Sequence, residues 1–109
     1  MIEWPEKTCT IDRLVTNERM VTAVLNGDKV QQRRNGVYAY PGETFSLEGT
    51  EFELTRLERQ RLGDMTEEDA KKEGFPDLDA YRKIILHMHH GMEWDEDHKV
   101  WMHEFRPTS

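Results

Sequence analysis

The sequence predicts an α+β fold, and three patterns predict it. Stretches rich in β-branched and aromatic residues, among them Val37–Tyr40 and Lys99–Phe105, read as short strands. Leu78, Tyr81, Ile84, Ile85 and Met88 recur at the spacing of one helix face. Gly27, Pro41-Gly42, Gly74 and Gly91 punctuate the chain at the ends of these runs. At 109 residues the chain is long enough to bury a core without staples, and residues 1–109 read as a single domain.

Taken in order, Thr8–Leu14 interleaves Thr, Cys, Ile and Leu with charge and is expected to form a half-buried strand. Thr16 is positioned to cap a helix whose apolar face is Met20, Val21, Val24 and Leu25, with Gly27 as its left-handed exit. The polar run Asp28–Arg34 follows. Val37–Tyr40 then reads as a strand, Pro41-Gly42 as a type II turn, and Thr44–Leu47 as the returning strand of a hairpin. Phe52, Leu54 and Leu57 give the stretch Glu51–Leu57 an apolar side between charges. Thr66 precedes Glu67, Glu68 and Asp69, which suit the positive end of a helix dipole, and this helix spans about Glu67 to Glu73 before Gly74. Asp77 caps the helix that carries Leu78 through Met88. Lys99–Phe105 closes the chain as a strand.

Fifteen Lys and Arg against twenty-two Asp and Glu give a formal net charge of -7, with 36% hydrophobic and 34% charged residues. That balance excludes the disordered and membrane classes and disfavours a broad grip on long duplex nucleic acid, which draws on lysine and arginine to displace counterions. The lone Cys9 cannot close an internal disulfide and reads as an inert thiol in a strand, consistent with a reducing compartment. Residues 1–7 lack the basic and apolar regions of a secretory signal, and the apolar stretch Met20–Leu25 falls far short of the roughly 20 residues of a membrane helix. A cytoplasmic location and no membrane partner are therefore expected; the oligomeric state is left open.

Few residues invite chemistry by type alone. Glu73 sets an acid at the unfavourable end of a helix dipole, so helix propensity does not explain it. Tyr38, Tyr40, Trp94 and Trp101 could stack a base or simply fill a core, and Trp94, in a polar loop, is the best stacking candidate. His87, His89 and His90 crowd one helix end, with His98 and His103 near Asp95, Glu96 and Asp97. No zinc signature accompanies them, so surface histidines are expected, with no metal and no cofactor. Arg33 and Arg34 would point to opposite faces of an extended segment, so at most one is expected in a cleft.

Four segments in this order resemble the ASCH domain family of the PUA-like superfamily: Val24-Leu25-Asn26-Gly27-Asp28-Lys29, Tyr40-Pro41-Gly42-Glu43, Leu62 through Phe75, and Trp101-Met102-His103-Glu104-Phe105. The third is the most specific, a capped helix carrying Glu-Asp-Ala and ending in Glu-Gly-Phe. The resemblance implies a PUA-like small β-barrel with flanking short helices and a cleft between sheet and helices that receives RNA or a modified nucleoside. Small bacterial members of similar length are acetylcytidine amidohydrolases with a Lys, Thr and Glu catalytic set. Matched on the helix-exit glycine, the lysine falls on Lys29, the glutamate on Glu73, the threonine on Gln32 and a following arginine on Arg34.

Gln32 has no hydroxyl and cannot serve as nucleophile or relay. The first expectation is therefore a binding protein whose cleft carries Lys29, Gln32, Arg34 and Glu73, with Tyr40 and Trp94 as further ligand contacts. The alternative is removal of the acetyl group from acetylcytidine, with Lys29 and Glu73 as catalytic residues activating water and Gln32 orienting the carbonyl. A Lys-Glu salt bridge would look the same in sequence. A ribonuclease is the third option, selected by no motif.

Overall fold

In the computed structural model, residues 4–88, 91 and 93–108 are described. Four strands, β1 (Gln31–Arg34), β2 (Thr44–Leu47), β3 (Thr50–Arg61) and β4 (Lys99–Pro107), form one antiparallel sheet in the order β1-β4-β3-β2, curled into a half-barrel. Three short helices, α1 (Glu18–Leu25), α2 (Glu67–Lys72) and α3 (Leu78–Met88), flank it. The α+β class read from the sequence is the class observed.

The last strand organises the sheet, because β4 pairs with β1 on one side and β3 on the other. The β3–β4 register slips between Leu54 and Arg56, a bulge that sharpens twist and helps the sheet curl. β2 and β3 are joined through Glu48 and Gly49, both at positive φ (48° and 86°), the backbone of a tight type I′ hairpin.

One apolar cluster lies between the sheet and α1. Phe45, Phe52 and Phe105 meet there, with Phe105 edge-on to the other two rings at centroid distances of 5.5 and 6.2 Å. A second cluster gathers Met65, Ala70 and Tyr81 with Phe75, Leu78, Ile85 and Trp94 around α2 and α3. Both helices start as the sequence indicates. Thr66 and Asp69 close a reciprocal capping box on α2, and the Asp77 carboxylate accepts the Ala80 amide at the start of α3.

Several expectations are corrected. Thr8–Leu14 is not a strand: Arg13 and Leu14 donate to Thr10 and Ile11 in a 3-10 turn at Ile11–Arg13, because local bonds satisfy a backbone that no neighbouring strand pairs with. Asn17, not Thr16, caps α1, accepting the amides of Arg19 and Met20. Val37–Tyr40 lies outside the sheet, since the Tyr38 amide donates to a histidine ring and the Tyr40 amide to the Glu43 carboxylate. The Pro41-Gly42 turn forms, with Gly42 at φ 96°, but it leads into β2 from this non-sheet segment, so β2's hairpin partner is β3. The strand expected over Glu51–Leu57 extends to Thr50–Arg61.

Phe105 is 2% exposed at the centre of the aromatic trio. Phe105→Ala should therefore cost about 3–5 kcal/mol, the range for emptying a large buried aromatic site, read as a lower denaturant midpoint at unchanged slope.

Candidate functional site

Two local features bring a lysine to a helix end. After α1, Gly27 at φ 83° turns the chain back, and the Asp28 and Lys29 amides both donate to the Ala23 carbonyl. α2 stops at Glu73 because Gly74 takes φ 97°, and a Cβ at Gly74 would lie only 3.2 Å from the Lys29 Cβ. Glycine therefore serves both the helix exit and the close approach. The Val30 amide then donates to the Lys72 carbonyl and fixes the two segments together.

The Lys29 Nζ donates to the Glu73 main-chain oxygen at 2.9 Å and to its Oε1 at 3.0 Å. One ammonium thus caps the helix C-terminus and neutralises the acid there, which is how an acid tolerates that position. The other carboxylate oxygen, Oε2, accepts from Arg33 Nη1 at 3.0 Å. Arg33 is spread over further acceptors: Gln31 Oε1 at 3.0 Å, Gln60 Oε1 at 2.8 Å and, at 3.6 Å, Asp69 Oδ1. Gln31 in turn donates to Glu104 Oε1 at 2.7 Å. Lys29 and Glu73 are each 1% exposed, so one carboxylate holds two cations in a nearly dry setting.

Burial pushes the Lys29 ammonium below the ordinary lysine range. The Glu73 charge and hydrogen bond oppose that shift, while Arg33 and Arg34 add to it. Lys29 also lines the neighbouring cleft.

That cleft, about 340 Å³, receives Lys29, Gln32, Arg33, Arg34 and Glu73 on one side and Phe75, Tyr81, Ile84, Ile85 and Met88 on the other. Arg19 of α1 also lines it, so four cationic side chains face a single carboxylate. The sequence expectation that only one of Arg33 and Arg34 faces the cleft is corrected. β1 is an edge strand, and both of its arginines line the cleft. Arg34 donates through Nε (3.2 Å) and Nη2 (2.8 Å) to the Leu14 carbonyl, and through Nη2 (3.3 Å) to that of Arg13. Its guanidinium lies 5.3 Å from the Tyr38 ring centre, and no carboxylate pairs with it among the described residues. Gln32 is half-buried with its amide donating to the Arg33 carbonyl at 3.2 Å.

Lys29, Gln32, Arg34 and Glu73 are thus brought together, whereas two other candidates are not. Tyr40 donates its hydroxyl to the Pro5 carbonyl at 2.8 Å under the Lys7 ammonium, outside the cleft lining. Trp94 packs edge-on to Tyr81 (6.3 Å) and beneath the Arg82 guanidinium (5.1 Å), also outside it. Sequence reasoning set Arg33 aside and missed Gln31 and Tyr81. The signal available for the first two was a strand, Gln31–Arg34, polar at every position, which solvation of one face alone does not require.

Of the histidines, His98 bonds Asn35 through its ring at 2.8 Å, and His89 and His90 lie outside the described residues. His103 is fully buried: Nε2 accepts the Tyr38 amide, so Nδ1 carries the proton and donates to the Gln32 and Trp101 carbonyls. Burial pushes its pKa down to about 4. Among the described residues no group of His, Cys, Asp and Glu could hold a metal, and no helix is long and apolar enough to cross a membrane.

No protein-family model matches the chain, and no curated protein matches it. Two solved structures do. An ASCH domain from Lactobacillus crispatus is 18% identical with a TM-score of 0.64, over 91% of this chain and 79% of its own. A protein of the family DUF984 from Enterococcus faecalis is 13% identical with a TM-score of 0.57, over 83% of this chain and 67% of its own. At these identities the likeness is one of fold, and the chain has an ASCH-like fold of the PUA-like type.

Two outcomes follow from the buried charges. Glu73→Ala leaves buried Lys29 without a carboxylate and Arg33 with only Asp69, and should destabilise the protein by about 3–5 kcal/mol in denaturant unfolding, with Glu73→Gln costing less. His103 is neutral in the folded chain down to about pH 4 but protonates from about 6.5 once unfolded. Its contribution is complete above pH 6.5 and lost as the pH falls towards 4, roughly 3 kcal/mol in all. Unfolding measured across that window should show the slope, and His103→Gln should flatten it.

Proposed function

We propose that the chain binds RNA or a modified nucleoside in the cleft between β1 and helices α1 to α3. The observation that carries this reading is the local reversal of charge: four cations to one carboxylate in the cleft of a chain whose formal net charge is -7. Such a cleft attracts a phosphate while the rest of the surface repels a long polyanion, which favours a short or single-stranded ligand. The apolar wall of Phe75, Ile84 and Ile85 suits the face of a base, and Gln32 offers both an acceptor and donors to its edge. The ASCH-like fold agrees with this reading.

A second reading, hydrolysis of the acetyl amide of acetylcytidine, has one observation in its favour. Lys29, which lines the cleft, is held below its ordinary pKa by burial. In its amine form it would take a proton from water attacking the acetyl carbonyl, and Glu73 would help return a proton to the departing nitrogen. Gln32, in place of a hydroxyl, would orient the carbonyl. The ribonuclease option lacks comparable support, since no histidine lines the cleft among the described residues.

Titration with a short single-stranded RNA should give saturable binding that weakens with salt. Arg34→Ala should reduce the affinity at least tenfold, the loss of a charge-assisted contact of about 1.5–3 kcal/mol. Incubation with acetylcytidine, followed chromatographically beside Lys29→Ala, separates the two readings. Turnover abolished by the variant favours the hydrolase, and absence of turnover removes it.

A further inference from the structure

A second cleft, about 540 Å³, adjoins the first and shares Arg33, Arg34, Tyr81 and Ile85 with it. Its character differs. Leu62 and Val100 supply an apolar floor, while Glu93 and Asp95 set two carboxylates against the two shared arginines, so its charges balance. Carboxylates accept hydrogen bonds from an amine and repel a phosphate, so this cleft suits the amine-bearing edge of a base.

Arg34 stands where the clefts meet, and it is fixed there. Its Nε and Nη2 are committed to the Leu14 and Arg13 carbonyls and its plane is held near the Tyr38 ring, whereas Nη1 has no protein partner among the described residues. The Tyr81 hydroxyl, also shared, has none either among the described residues. Two preorganised donors without partners, set between an apolar-walled cationic cleft and a charge-balanced one, form a seat for a single anion linking two flat groups.

From this we infer that the ligand is a phosphodiester-linked pair of nucleotides, one unit in each cleft, with the linking phosphate on Arg34 and Tyr81 and an amine-bearing base facing Glu93 and Asp95. The inference rests on the nucleic-acid reading above and extends it to a second base subsite. A lone nucleoside would fill one cleft and leave the junction empty. A uracil in the second subsite would turn carbonyl oxygens where the carboxylates prefer donors.

Calorimetric titration of the intact chain with cytidine, CMP, CpC and UpU tests it. CpC should bind at least tenfold more tightly than CMP, and UpU should lose most of that advantage. Glu93→Gln, at an exposed loop position, should shrink the CpC to CMP ratio several-fold, and Arg34→Lys, which keeps the charge but not the fork, should do the same. Equal affinity for CMP and CpC would overturn the second subsite while leaving the binding reading standing. No binding of any of the four would remove both. A full CpC advantage retained in both variants would show that the second unit binds elsewhere, and would also overturn the inference.

Discussion

Glu73 is the group on which the site depends. Its two carboxylate oxygens and its main-chain oxygen together hold Lys29 and Arg33, and these three residues come from the segment after α1, the edge strand β1 and the end of α2. Buried cations without a counter-charge are costly, so the three elements are obliged to meet at one carboxylate. Gly74 eases the meeting, because it takes a positive φ and a Cβ there would crowd the Lys29 Cβ at 3.2 Å. The charged lining of the cleft is therefore a by-product of a stabilising arrangement. The carboxylate uses up its acceptors inward, and the positive charge that remains faces the cleft.

The same logic separates the two apolar clusters. Met20, packed against the first, and Tyr81 and Phe75 of the second both line the cleft, so the opening lies where the two packed regions meet across the charged residues. A continuous apolar core would have closed it. Ligand pockets commonly form at such seams, with apolar walls and a few oriented polar groups.

His103 supports the site from behind. It lies on β4, opposite Gln32, and its ring ties the carbonyl of that residue to the amide of Tyr38, whose own ring lies under the Arg34 guanidinium. The order β1-β4-β3-β2 makes β4 the neighbour of the cleft-lining edge strand, so a histidine on the last strand braces a segment some seventy residues earlier. The imidazole has to stay neutral to do so, since Nε2 must remain an acceptor.

The sequence by itself determined the elements whose causes are local. The α2 capping box, the periodicity of α3, the Gly27 and Gly74 exits and the closing strand follow from side-chain spacing and backbone preference within a few residues, and all are present. Glu73 also stands out, as an acid at a helix end without a local reason to be there, whereas Lys29 is reached through the family resemblance; the structure pairs the two. Tertiary structure decided what depends on partners distant in the chain. Thr8–Leu14 and Val37–Tyr40 have strand-like composition but join no strand of the sheet: the Thr8 amide donates to the Val37 carbonyl, those of Arg13 and Leu14 are satisfied locally, and those of Tyr38 and Tyr40 by side chains. Whether Arg33, Arg34, Tyr40 and Trp94 share a cleft depends on which strand is at the sheet edge and on what covers each ring. Neither is encoded in spacing, because both arise only when β4 returns to pair with β1.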